Sequence, residues 1–399
     1  MADLRAFEPL YPEARVLGPL LERAGVLSHE VARLGSDAGR PVAAALRPWL
    51  RAMNSYYTHK IEGQHTRPSD IERALHRRFD ADKKLAKKQR LAVAHMRAEE
   101  QLETNQQWVE PRGLFTAACV REIHKVLYDG LPQGDRFSDE GEPIPPGEYR
   151  RRDVTAGRHL PPSHADVPEF IDAWANVYAR LAGREALVVA AACSHHRLTW
   201  VHPFIDGNGR VARLHSHLLM HALGLTHGLW SPMRGLARTH EAYYARLNNA
   251  DLPRRNDLDG RGALSQEELV AFAVYFLDLC LDQVRFMRDR LDLAALKTRL
   301  QSLLSHLAER PWQIGSERSV VKVEALEALH YVAIAGPVER SRFVAMTGLG
   351  ERTGRRVLAS LLDYGVLAAE SPRAPVRFAL PLKALRFLLP NLWPEAEVD

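Results

Sequence analysis

A mainly α-helical chain is what this sequence predicts, and three observations carry that prediction. Apolar residues recur at helical spacing over most of its length, segments of ordinary helix length are separated by Pro- and Gly-rich connections, and alternating strand-like runs are few. At 399 residues the chain is long enough for two or three domains with separate cores. With 46% hydrophobic and 26% charged residues it reads as soluble and globular. The expected architecture is a helical core with a short β-hairpin flap, followed by a C-terminal winged helix-turn-helix.

The elements follow in order. Over residues 41–61 the apolar positions Val42, Leu46, Trp49, Leu50, Met53, Tyr57 and Ile61 keep helical spacing, and Gly63 offers a stop. Helical patterns cover residues 69–77, 83–102 and 114–127, the last closed by Gly130 and Pro132. Residues 135–162 break the rhythm with Gly141, Pro143, Pro145, Pro146, Gly147, Gly157, Pro161 and Pro162, which predicts an exposed loop or short hairpin. Loops of that length are often functional. Helical period resumes over 167–181 and 186–200, again from Arg213 to Leu223, and around 243–250. Residues 252–262 form a polar loop, and Ser265 caps a helix from Gln266 towards Arg290.

A linking helix is expected over 294–308 and a domain boundary near 311–317. Beyond Val320 come a helix, Gly336-Pro337, a short helix over 341–347 and a turn at 348–350. A helix over 352–364, Gly365 and a hairpin over 366–380 complete the pattern. Two helices joined by a three-residue turn and followed by a two-stranded wing outline a winged helix-turn-helix. Arg352, Thr353, Arg355 and Arg356 then stand near the start of the recognition helix, and Arg373 and Arg377 on the wing. Such a basic face suits DNA phosphates. Domains of this outline also dock proteins or a second copy, so DNA and a homodimer are both candidate partners. The expected division is 1–105, an N-terminal helical region; 106–292, the core; 293–315, the linking helix; 316–385, the winged helix; and 386–399, a tail.

Composition excludes several classes. The N-terminus lacks a secretory pattern and no apolar run spans a bilayer, so the expected location is the cytoplasm, with no membrane partner. Cys119, Cys193 and Cys280 are odd in number and far apart, as expected for reduced, packed thiols. A net charge of +5 permits an anionic partner without requiring one.

Chemistry concentrates in residues 202–213, His-Pro-Phe-Ile-Asp-Gly-Asn-Gly-Arg-Val-Ala-Arg. Gly207 and Gly209 flank Asn208 at the start of a helix, where backbone amides and the helix dipole favour phosphate. Arg210 and Arg213 share a helical face and suit successive phosphates. Asp206 belongs in an anion site as a ligand of Mg²⁺. His202, titrating near neutrality, suits a general base that takes a proton from an attacking hydroxyl.

This stretch is similar, at each defining position, to the Fic family motif His-x-Phe-x-Asp/Glu-Gly-Asn-Gly-Arg-x-x-Arg. The resemblance implies a helical core that transfers AMP from Mg²⁺-ATP to a hydroxyl side chain of a target protein. By that resemblance His202 is the general base, Phe204 a core anchor, Asp206 the Mg²⁺ ligand, and Gly207, Asn208 and Gly209 the cradle for the α and β phosphates. Arg210 and Arg213 bind the β and γ phosphates. Kinase-like relatives carry Lys where this chain has Gly209. Gly147, Tyr149, Arg150 and Val154, with Pro161-Pro162, resemble the family's flap, which registers the target backbone by strand pairing. Tyr243, Tyr244 and Leu247 resemble the helix on the adenine side.

Thr58-His59-Lys60-Ile61-Glu62-Gly63 resembles the family's inhibitory helix, Ser/Thr-x-x-x-Glu-Gly/Asn, and Thr58 and Glu62 lie on one helical face. What this implies is competition, with Glu62 pairing with Arg213 and displacing the γ phosphate. The expected activity is therefore an autoinhibited protein adenylyltransferase. The alternatives are a nucleotide-sensing DNA-binding regulator without transferase activity, or a Fic enzyme that uses another nucleotide donor or removes AMP.

Two other patterns point elsewhere at first sight. Residues 257–268 follow a Ca²⁺ loop superficially, but Arg261 stands at a ligand position, which favours a capped loop-to-helix junction. His195, His196, His215, His217 and His221 lack nearby Cys or a Glu-x-x-His arrangement and read as packing, polar-face or nucleotide-adjacent residues.

Overall fold

The computed structural model of the chain describes residues 2–37, 39–312 and 319–392. The described residues form sixteen α-helices, beginning with α1 (Ala14–Asp37), α2 (Arg40–Ile61), α3 (Pro68–Leu75), α4 (Lys83–Thr104), α5 (Ala117–Asp129), α6 (Val167–Tyr178), α7 (Arg184–Val201) and α8 (Asn208–Ala222). They continue as α9 (Met233–Arg238), α10 (His240–Asn249), α11 (Gln266–Leu291), α12 (Leu293–Glu309), α13 (Leu326–Ala335), α14 (Arg340–Met346), α15 (Glu351–Asp363) and α16 (Leu382–Leu388). Strands β1 (Leu367–Ala368) and β2 (Arg377–Phe378) form one antiparallel pair. The helices α1, α9 and α16 have no counterpart among the elements read from sequence. Most of the expected boundary segment, residues 313–318, and tail residues 393–399 lie outside the described residues.

The chain divides into two units. The first comprises Met1–Ala32, Arg51–Thr66 and Arg73–Val284. Its centre is α7, in which every residue from Leu187 to Leu198 is buried, so the helix carries no solvated stripe. Helix α8 packs along α7, and α4 and α5 pack along α8. Phe115, Trp174 and Tyr178 form an aromatic cluster beneath them, with Phe115 and Tyr178 stacked at 5.4 Å. Arg197 is fully buried and donates to the carbonyls of Pro9 and Ala250, which ties the N-terminal segment to the core. Cys119, Cys193 and Cys280 are free and buried, as expected.

In residues 135–162 the described structure contains only isolated bridges, Phe137 with Pro143 and Ala156 with His159. Of the two forms expected there, loop or short hairpin, the chain takes the loop, because prolines remove ladder donors and glycines turn the backbone. Residues 257–268 form the capped junction: Asp259 accepts from the Ser265 hydroxyl and the Arg255 and Glu267 amides, and Ser265 accepts from the Glu268 amide.

The second unit comprises Arg33–Leu50, Arg67–Glu72 and Arg285–Asp399. Helices α14 and α15 meet closely: a Cβ on Gly354 would stand 2.7 Å from Val344 Cγ1. The hairpin expected over 366–380 shrinks to two residue pairs, Leu367 with Phe378 and Ala368 with Arg377. Val338 adds a further bridge to Val376. Among the described residues no helix is long and apolar enough to cross a membrane.

Candidate functional site

The loop between α7 and α8 is built by sequence-local bonds. His202 ends α7 in the left-handed region, at φ 50°, a conformation that costs a non-glycine residue about 1–2 kcal/mol and is found at functional sites. Asn208 closes the loop on itself, its Oδ1 accepting from the Phe204 amide at 2.8 Å and its Nδ2 donating to the Phe204 carbonyl at 2.9 Å. Phe204 is fully buried and stacks on the His124 ring at 3.9 Å. Gly207 sits at φ +83°, and a Cβ there would stand 2.7 Å from the Tyr128 hydroxyl oxygen, so only glycine fits. The Val211 amide makes the first helical bond, to Gly207. The amides of Asn208, Gly209 and Arg210 thus stand at the open end of α8, where the helix dipole favours an anion.

Charged side chains converge on that end. Asp206 accepts from Arg210 at 2.9 Å and from the Gly207 amide. Burial raises the Asp206 carboxyl, but Arg210 and the Gly207 amide outweigh it and hold the group below the usual range. Arg210 also lies over the Tyr128 ring at 5.4 Å, while its Nε is buried without a partner. Arg213, 1% exposed, donates from Nε to the Thr58 hydroxyl at 2.7 Å, from Nη2 to the Thr58 carbonyl at 3.3 Å, and to Glu62. The Glu62 carboxylate lies so close above Gly209 that a Cβ there would stand 2.6 Å from Glu62 Oε1. Gly63, at φ +68°, turns the chain away after it.

His202 is held neutral. Burial, with help from nearby His159, pushes its imidazole down to about 4, so a lone pair is available near pH 7. The residues beside it come from the 135–162 loop. Arg150 is buried and donates to the carbonyls of His202 at 2.9 Å, of Arg152 at 3.0 Å and of Pro162; its own amide donates to Pro203 at 2.9 Å. Its donors therefore fix the loop against residues 202–203 instead of reaching outward. The Gly147 amide donates to His124 Nδ1 at 2.9 Å. Tyr149 is half-buried, 5.7 Å from the Phe204 ring, and Val154 is partly exposed. Across the site, Tyr243 is buried and bonds His195 at 2.7 Å, whereas Tyr244 is exposed and donates to the Ile61 carbonyl at 3.4 Å. Leu247 contributes its carbonyl to His196.

Residues 114–220 match the model of the Fic/DOC family. They form a Fic domain. Curated relatives, both named Protein adenylyltransferase Fic, come from Drosophila mojavensis, 33% identical, and Drosophila erecta, 34% identical. Each aligns over 113 residues, 28% of this chain and 22% of the relative. The chain therefore matches about a fifth of the length of those relatives. A Fic family protein from Desulfovibrio desulfuricans shares the fold at a TM-score of 0.54 and 18% identity, over 94% of this chain and 99% of that one. A Fic domain-containing signaling protein from Bacteroides thetaiotaomicron does so at 0.51 and 18%, over 67% and 95%.

Within the Fic domain the structure gathers Asp206, Gly207, Asn208, Gly209, Arg210 and Arg213 at one helix end. It brings Thr58 and Glu62 to the same place. Tyr243 is turned into the core, towards His195. Sequence reasoning missed His124 and Tyr128, one turn apart on α5. His124 Nε2 lies 3.2 Å from the Asp206 carbonyl while its Nδ1 accepts from Gly147, so one ring spans the phosphate loop and the 135–162 loop. Burial pushes His124 down to about 3, and a neutral ring with a proton on Nε2 satisfies both bonds. Their spacing on one helical face was a signal, but nothing local tied that face to residues 202–213.

Proposed function

We propose that this chain is an autoinhibited protein adenylyltransferase, moving AMP from Mg²⁺-ATP to a hydroxyl side chain of a target protein. The observation that carries the reading is the Glu62 carboxylate lying over Gly209 and bonded to Arg213. An anion of the chain itself stands at a helix end whose amides and arginines suit phosphates. The residues fit a nucleotide and its cation: glycines where a Cβ would collide, Arg210 Nε buried without a partner, and the Asp206 carboxylate beside it. Asp206 would hold Mg²⁺, which supplies charge neutralisation at the phosphates. Asn208 keeps the loop closed around the cradle, and Arg210 and Arg213 orient the β and γ phosphates. His202, neutral in its buried position, accepts the proton of the attacking hydroxyl. Glu62 opposes the productive arrangement by occupying Arg213. The 135–162 loop, with Gly147, Tyr149, Arg150 and Val154, borders the side from which a target approaches, and Tyr244 and Leu247 border the nucleotide side.

The test is transfer of label from α-labelled nucleoside triphosphates to protein. A Glu62→Gly chain is expected to label itself or a lysate protein from ATP, and adding His202→Ala is expected to abolish labelling while ATP still binds. Labelling that survives His202→Ala would overturn the assignment of the base, and labelling from another triphosphate alone would change the donor.

A second partner is supported by the C-terminal unit. The close approach of α14 to α15 at Gly354 and the exposed Arg352, Arg355, Arg356, Arg373 and Arg377 fit a winged helix-turn-helix that contacts phosphates. Duplex DNA binding by the full chain should weaken with salt and with Arg352→Ala/Arg356→Ala. Binding unchanged by either sinks this reading.

A further inference from the structure

Away from the phosphate loop, helices α4 and α8 bring a second set of donors together. Glu99 and Glu103 stand one turn apart on α4, and His217 and His221 one turn apart on α8. One ligand atom from each of Glu99, Glu103 and His217 lies within 4.8 Å of the others. His217 Nε2 is 2.9 Å from Glu103 Oε1 and 3.8 Å from Glu99 Oε1, and His221 Nδ1 is 3.8 Å from Glu103 Oε1. A tetrahedral ion with bonds of about 2.0–2.1 Å keeps its ligand atoms about 3.3 Å apart. The separations from His217 to the two carboxylates bracket that value, and His221 Nδ1, now 3.2 Å from the Thr226 hydroxyl, must exchange that partner to join them.

The cluster is buried and incompletely satisfied. Glu99 is 1% and His217 2% exposed, and Glu99 Oε2 is buried with no hydrogen-bond partner. An orphaned carboxylate oxygen in the interior is costly, and it is answered by a paired charge, a metal or uptake of a proton, towards which burial pushes Glu99, up to about 7. The carboxylates are also oriented from outside. Asn54 donates to Glu99 Oε1 at 2.9 Å, its own Oδ1 accepts from Ser231, and Arg51 donates to Glu103 Oε2 at 2.8 Å. Hydrogen bonds of this kind fix ligand geometry at metal centres.

We propose that Glu99, Glu103 and His217 bind one divalent transition-metal ion of the zinc type, with His221 at the solvent edge as the fourth ligand. Mixed carboxylate and imidazole donors favour such an ion over Mg²⁺ or Ca²⁺, which take oxygen. His217 lies about 13 Å along α8 from the helix start, at about 1.5 Å per residue, so this ion is separate from any cation at Asp206. Its role is structural. It joins α4 to α8 and, through Arg51 and Asn54, holds α2 about one to two turns before Thr58.

The test uses the full chain, stripped with chelator and then titrated with Zn²⁺ and Co²⁺. The expected result is one Zn²⁺ retained per chain after dialysis, a raised Tm, and the intense visible absorption of four-coordinate Co²⁺. Glu99→Gln and His217→Gln should each weaken Zn²⁺ binding on the order of 100-fold, while His164→Gln, remote on the 135–162 side, leaves it unchanged. Retention of less than one ion by the wild type, or equal binding by Glu99→Gln and His217→Gln, overturns the proposal. If either variant fails to fold by circular dichroism, the wild-type Co²⁺ spectrum decides, and an octahedral aquo-type spectrum overturns it.

Discussion

Glu62→Gly removes the carboxylate partner of the Arg213 guanidinium and leaves its two bonds to Thr58 and its contact with Tyr243. Arg213 therefore stays placed but regains a free N–H edge towards the open end of α8. A hydrogen bond to a charged group contributes about 1.5–3 kcal/mol, or roughly ten- to hundredfold in affinity. The Glu62 side chain is 29% exposed against 1% for Arg213, so solvent screening of the carboxylate favours the lower part of that range. The expected outcome is a drop of at least about tenfold in the Kd for ATP, with AMP transfer rising at least as much. Calorimetric titration measures the first and labelled-ATP transfer the second. Glu62→Gln, which keeps a hydrogen bond without the charge, should fall between wild type and Glu62→Gly. Equal ATP affinity and equal labelling across the three proteins would refute the electrostatic argument, because the only change at Arg213 is the loss of that partner.

Gly207→Ala forces a side chain into φ +83° with its Cβ 2.7 Å from the Tyr128 hydroxyl oxygen, so a loss of about 2 kcal/mol in stability is expected, with collapse of ATP binding. Urea unfolding and ATP titration check it, and Tyr128→Phe should not restore binding, because Cε2 of the ring still stands 2.9 Å from that Cβ. Acid should destabilise the first unit. Burial depresses His95 and His124 to about 3 and His202 and His215 to about 4, below the roughly 6.5 of an unfolded histidine. The unfolded chain then binds more protons between those values, so their contribution is full above about pH 6.5 and is lost as pH falls towards 4. Each histidine withdraws about 1 kcal/mol between pH 7 and pH 5.5. A Tm independent of pH across that interval would contradict the burial assigned to them.

Sequence alone determined the helical class and the order of most helices, and it marked residues 202–213 as the candidate site, because helical period, capping residues and a glycine-flanked turn are properties of neighbours along the chain. Thr58 and Glu62 were legible as a pair for the same reason, being four apart on one helix. What only the tertiary structure decided is what those local patterns meet. The assignment of Arg150 to target docking came from the resemblance to the family's flap, which could not show that its donors go to the His202, Arg152 and Pro162 carbonyls. Of the loop or short hairpin expected over 135–162, the loop is what forms, because prolines deny a ladder. His217 and His221 stand four apart on α8, but the two carboxylates near them come from α4, more than a hundred residues earlier. Side chains that converge from distant segments leave no periodic signal in the sequence, since packing, and not spacing, sets their separation.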